Sequence, residues 1–280
     1  MVWPRGIVMG GRVSVEIDRQ VARVALSRPG KRNALDLAMF EAISKAAEDI
    51  AAEEDVRAVV LCGDGPAFCA GLDVGAFFSN PETGERLLGK EPGAETNLAQ
   101  EVAWAWRRLP MPVIAALHGE VFGGGLQIAL GADIRLVAPD ARLSVMEIRW
   151  GLVPDMAGSR ILPGLLRNDV AKELTFSGRI VDGAEAVALG LATRACDDPL
   201  AAASALAAEI AGRSPDAVRA AKFLLDQSPL LDHARGLALE TRLQIELLGS
   251  RNQMEAARAG MAKRAPEFRP ASLDPASLPE

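Results

Sequence analysis

Phe122–Asp133 reads FGGGLQIALGAD, with Gly123, Gly124 and Gly125 in succession behind an apolar run, Pro112–Leu117 (PVIAAL). Three consecutive glycines carry a heavy conformational-entropy cost. They make sense where backbone must approach something closely and expose its N–H groups. A strand running into a glycine turn and then a helix does this, because the first N–H groups of a helix lack partners and carry partial positive charge. Such a place suits an anion, or an oxygen on which charge develops during a reaction. Close packing at a tight strand-to-helix turn fits the same spacing. A second stretch, Pro66–Val74 (PAFCAGLDV), follows the apolar run Ala58–Leu61 and repeats the pattern: strand, turn, small residues, then Gly71.

The surrounding pattern is that of an α/β core followed by helices. Val13–Ile17 and Val21–Leu26 read as a hairpin. Apolar residues at 39, 40, 43, 46, 47 and 50 give a helix of period 3.6. Arg57–Leu61 reads as a buried strand, and Ser79–Thr96, rich in Gly, Pro and charge, as a mobile segment. Asn97–Leu109 is a helix stopped by Pro110 and Pro112. Ile134–Val137 and Arg142–Val145 are short strands, followed by a helix over Ala157–Leu166 and helical turns over Val170–Phe176 and Ala184–Leu189. After about Leu200 the strand signal disappears, and four helices are expected: Pro199–Gly212, Pro215–Gln227, Leu231–Leu248 and Gln253–Arg264. The expected division is a core over 12–199, a helical region over 200–268, and flexible tails at 1–11 and 269–280.

The stretches PAFCAGLDV and HGEVFGGGLQIALGADIRLV together resemble the enoyl-CoA hydratase/isomerase (crotonase) superfamily. SRPGKRNAL, LSVMEIRWGLVPDMAGSRILP and MAKRAPEF agree with it, spreading the resemblance over roughly residues 12–268. The resemblance implies a right-handed spiral of ββα turns followed by helices that build a trimer, often stacked as a hexamer. It implies an acyl-CoA thioester as substrate, with coenzyme A part of that substrate and no separate cofactor or metal. It also implies two peptide N–H donors for the thioester carbonyl, at Leu72 and Gly124. Removing a proton next to a thioester makes an enolate, and its oxygen needs such preorganised donors.

An acid/base must complete the site. Hydratases of the family use two glutamates, and the matching positions here are Gln127 and Glu147. Glu147 lies in apolar sequence; burial there would raise its pKa and suit it to shuttle a proton. A surface glutamate at a strand end, or a salt-bridge partner of Arg149, is the plainer alternative. An amide at Gln127 cannot carry a proton, although it can orient water. A single carboxylate suffices to move a proton between two carbons, as the related isomerases do, so double-bond isomerisation is the favoured reaction. Hydration with Gln127 holding water is the second reading, and binding of an acyl-CoA or a partner without turnover the third. Asp155, eight residues after Glu147, matches the spacing of the dienoyl-CoA isomerases. It also follows Pro154 before a helical stretch, where an N-cap would stand. The resemblance assigns substrate contacts to the Arg28–Leu35 loop, with Arg28, Lys31 and Ala34, to Ala70, Gly71, Asp73 and Val74, to Gly123, and to Lys263 from an adjacent subunit.

Composition limits the other classes. The chain has 280 residues and a formal net charge of −6, which argues against a general nucleic-acid footprint. Cys62, Cys69 and Cys196 have no metal or redox spacing and read as reduced thiols. Ile7–Met9 is too short an apolar run for a signal peptide, and no segment reaches membrane-span length, so a cytoplasmic protein is expected. Gly84–Lys90 (GERLLGK) mimics a phosphate loop, but Glu91 stands where a Ser or Thr is needed. His118 and His233 are too far apart in sequence to suggest a metal site.

Overall fold

Alternation along the strands decides which layer covers each face of the sheet. Ala58, Val60 and Cys62 point to one side, and Val59 and Leu61 to the other, as the two-residue period of a strand requires. Both sets are apolar because both faces are buried, so the run lacks polar interruptions.

The computed structural model describes residues 6–9, 11–79 and 82–278. The chain opens with strands β1 (Gly6–Met9), β2 (Val13–Asp18) and β3 (Val21–Leu26), helix α1 (Leu37–Ala51) and strand β4 (Ala58–Gly63). Helices α2 (Val74–Ser79), α3 (Glu82–Leu88) and α4 (Leu98–Arg108) follow, then β5 (Val113–Leu117), β6 (Glu120–Phe122) and α5 (Gly124–Leu130). Next come β7 (Ile134–Val137), β8 (Arg142–Ser144), α6 (Gly158–Leu165), α7 (Asn168–Ser177), β9 (Val181–Asp182), α8 (Gly183–Leu189) and β10 (Arg194–Ala195). The chain ends in α9 (Pro199–Ala211), α10 (Pro215–Gln227), α11 (His233–Leu247) and α12 (Arg251–Ala262).

Among the described residues, one sheet runs β1-β2-β3-β4-β5-β7-β10 and a smaller one runs β6-β8-β9. From β3 onward the large sheet is parallel. Successive strands alternate between the sheets: β5 then β6, and β7 then β8, each pair followed by helix. A bridge from Cys69 to Val121 brings the segment after β4 alongside β6. The result is the spiral of ββα turns expected from the resemblance. Helix α1 covers one face of the large sheet with α4 packed against α1, and α9 covers the other.

Three expectations change. Gly6–Met9 pairs with β2 as an antiparallel edge strand, so the 1–11 segment is not all tail. Ala203, Ala207 and Ala211 of α9 pack on Ala58, Val60, Ile114 and Leu136, so this helix completes the sheet core although it lies beyond residue 199. Four-residue spacing of alanines gives α9 a flat face on which backbone approaches the strands closely. The segment after 268 is anchored: the N–H groups of Ser272 and Leu273 donate to the buried Asp216 carboxylate at 2.7 and 2.8 Å. Asn252 donates to its other oxygen at 2.7 Å. Within the stretch expected to be mobile, α3 buries Leu87; residues 80 and 81 lie outside the described residues.

Candidate active site

Two turns meet because Gly71 has no side chain. At Gly71 (φ +89°) a Cβ would stand 2.8 Å from the Phe122 carbonyl oxygen and 3.9 Å from Gly123 Cα. A side chain there would push the Ala70–Leu72 turn off the Phe122–Gly124 turn. The bridge to Leu35 uses the Leu35 N–H to Gly71 O and the Asp73 N–H to Leu35 O, which leaves the Leu72 N–H outside the pairing. Gly124 begins α5, so its N–H has no acceptor within the helix. Leu72 and Gly124 therefore lie on adjoining turns. Gly123 bonds the Ser144 carbonyl at 2.9 Å, and a Cβ on it would lie 3.5 Å from Glu147 Oε1. Beneath the turns Cys69 is fully buried, which pushes its thiol up to about 12; it is a packing residue.

Glu147 opens a short helical turn, Glu147–Trp150, and is 8% exposed. The surface-glutamate alternative fails, and Arg149 is turned away to the Gly178 carbonyl at 3.1 Å. Burial raises the Glu147 pKa, with a further rise from the charge of Asp155; the bond from Gln127 works in the opposite direction. Gln127 Nε2 donates to Glu147 Oε1 at 2.5 Å, while Oε2 is buried with no hydrogen-bond partner among the described residues. Gln127 Oε1 accepts from the N–H groups of Met156 and Gly158, both at 2.9 Å. Both acceptor positions of the amide oxygen are thus taken, and one N–H of Nε2 is what remains to meet a water.

The profile described as Enoyl-CoA hydratase/isomerase matches residues 16–270. The chain belongs to the enoyl-CoA hydratase/isomerase family. It is 34% identical over 255 residues to a bovine protein named enoyl-CoA hydratase domain-containing protein 2, mitochondrial, covering 89% of this chain and 84% of that one. It is 30% identical over 261 residues to mouse mitochondrial methylglutaconyl-CoA hydratase, covering 91% and 81%. Among solved structures, the enoyl-CoA hydratase from Bacillus anthracis superposes with a TM-score of 0.84 at 28% identity, covering 93% of this chain and all of that one.

In this family member the loop proposed for coenzyme A is organised by its own charges. Arg28 Nη1 bonds Asp73 Oδ2 at 2.8 Å and the Ala34 carbonyl at 3.0 Å. Arg28 and Asp73 therefore hold the Arg28–Leu35 loop to the Leu72 turn. Lys31 is exposed. Ala70 donates to the Arg32 carbonyl at 2.9 Å, and Val74 begins α2. Lys263 is the exposed residue that ends α12. That helix packs on α10.

Sequence reasoning missed Asn33. It is fully buried in the left-handed region (φ +56°). Its Nδ2 donates to the carbonyls of Asp64, Ala67 and Phe68 at 2.9, 2.8 and 3.2 Å, and its Oδ1 accepts from the Arg28 N–H at 2.7 Å. One side chain thus fixes the 28–35 loop to the segment leading into Gly71. The available signal was asparagine within a loop, the non-glycine residue most tolerant of positive φ.

The capping alternative for Asp155 does not hold. The N-cap of α6 is Ala157 (φ +67°), with no side-chain cap bond. Partial desolvation raises the Asp155 pKa, although the residue remains exposed. Its charge also raises Glu147. Asp155→Asn is therefore expected to move the Glu147-dependent limb of the pH–rate profile to lower pH, with little change in Tm. An unmoved limb would place Asp155 outside the electrostatic reach of Glu147.

Proposed function

We propose that the protein isomerises the double bond of an enoyl-CoA thioester, with coenzyme A part of the substrate and no separate cofactor. The thioester carbonyl oxygen accepts from the Leu72 and Gly124 N–H groups. Glu147 takes a proton from C2 of a 3-enoyl-CoA, the electrons pass into a dienolate whose oxygen lies between the two donors, and the proton returns at C4. This leaves the 2-enoyl-CoA and restores the carboxylate. The observation that carries the reading is one buried carboxylate with a partner-free oxygen beside the two turns, and an amide where a second family carboxylate would stand. Asp155, whose charge reaches Glu147, would assist on longer conjugated substrates.

Hydration of a 2-enoyl-CoA is the second reading, favoured by relatives that are named hydratases. One Gln127 N–H would then hold the water. Purified protein assayed on 3-hexenoyl-CoA and crotonyl-CoA separates the two. Isomerisation is expected to be the faster by tenfold or more, and faster hydration would replace the first reading with the second.

We also propose a homotrimer or hexamer. Leu239 and Leu243 of α11 are covered within the chain. Leu237, Ile245 and Leu248 remain 62%, 62% and 60% exposed, and their spacing puts them on one stripe. Light scattering at micromolar concentration is expected to give at least three times the chain mass; a monomer would refute assembly. Among the described residues no helix is long and apolar enough to cross a membrane.

A further inference from the structure

The least expected feature of the site is what Gln127 touches. A helical stretch and a turn some thirty residues later are joined through this one amide. Ala157 holds the left-handed conformation (φ +67°), and around it the Met156 and Gly158 N–H groups converge on Gln127 Oε1 at 2.9 Å each. N–H groups two residues apart that converge on one oxygen form a concavity that suits an acceptor. At Gly158 a Cβ would stand 2.6 Å from that oxygen, so the turn closes on the amide only with glycine there. Two donors on Oε1 fix which end of the amide is oxygen. The NH2 group must then face Glu147, and it donates to Oε1 at 2.5 Å. Glu147 Oε2 is left buried and without a hydrogen-bond partner among the described residues.

Resting on the proposed role of Glu147, we infer that Gln127 is a positioning residue: it engages Glu147 Oε1, reserves Oε2 as the oxygen that carries the proton, and couples the Met156–Gly158 turn to that choice. The Gln127 amide does not carry a proton itself. Its donated bond favours the ionised carboxylate, and the charge facing Glu147 from the turn is that of Asp155. Arg149 is bonded to the Gly178 carbonyl instead.

Two variants test this through the pH–rate profile rather than through activity alone. Gln127→Met keeps the length and removes the donor, leaving a buried carboxylate without its side-chain partner. Gln127→Glu keeps an acceptor for the two N–H groups and places a second carboxylate against Oε1, so the pair must share a proton. Both changes disfavour the ionised Glu147. The ascending limb is expected to move up by roughly one pH unit or more, with kcat at neutral pH down about tenfold and KM within threefold in Gln127→Met. A merely structural role would lower Tm and leave the limb in place, which would overturn the inference. If Gln127→Met does not fold, the limb of Gln127→Leu, which likewise removes the donor without adding a charge, decides in its place. The Glu147→Gln variant runs beside both on the same 3-hexenoyl-CoA and crotonyl-CoA probes. If it retains activity, the reading of Glu147 fails. If it is inactive and the Gln127 variants leave the limb unmoved, only the positioning role fails.

Discussion

Glu147→Gln is expected to lower turnover of an enoyl-CoA by about 10²–10⁴-fold, the range in which a positioned general acid–base contributes. Affinity for a saturated acyl-CoA should stay within a few-fold, because the proposed carbonyl donors are the backbone groups of Leu72 and Gly124. The substitution should also leave the protein at least as stable at pH 8. Glu147 is raised in the folded state, chiefly by burial. The ionised form is thus less favourable in the fold than in the unfolded chain. Any stability linked to this group is complete below its unfolded pKa and is lost as pH rises through the folded one. At pH 8 the wild type bears that loss and a glutamine does not. Steady-state kinetics, ligand titration and thermal melts at pH 5 and 8 check all three outcomes. A fast enzyme that survives the substitution would sink the proposed mechanism.

Gly124→Pro is expected to reduce kcat by about 10²–10³-fold, the usual effect of removing one donor from an oxyanion site. Proline is tolerated at the first position of a helix because that N–H lacks an intrahelical acceptor, so α5 should survive. Bulk is a separate matter: a Cβ at Gly124 would stand 2.7 Å from Met156 Sδ and 2.9 Å from Leu35 Cδ1. Gly124→Ala introduces the same Cβ and keeps the N–H. Both groups it meets are ends of flexible side chains, so alanine should cost far less activity than proline. Equal losses in the two variants would assign the effect to packing and withdraw Gly124 as a donor.

The sequence by itself determined where the two glycine turns lie. Three adjacent glycines and Gly71 are costly unless backbone must come close to something, and the close approach of Gly71 to Phe122 and Gly123 supplies the reason. It also determined the longer elements, since a helix such as α1 or a buried strand such as β4 repeats its period often enough to be recognised. The two-residue strands β9 and β10 contain no complete repeat, so they emerge only from pairing with β8 and β7. Helix α9 was legible as a helix but not as the cover of a sheet. Periodicity records which residues are apolar and not what they meet.

Tertiary structure alone decided how Gln127 is used. Its partners lie at 147, 156 and 158, and nothing local to GGGLQ signals a left-handed alanine thirty residues away. The same holds for Asp155, which Ala157 displaces from the capping role, and for Arg28 and Asp73, which spend their charges on each other. A side chain's chemical type is written in the sequence. Its hydrogen-bond partner is set by which distant backbone groups the packed core leaves unsatisfied beside it, because a buried polar group must be paired wherever the fold allows it.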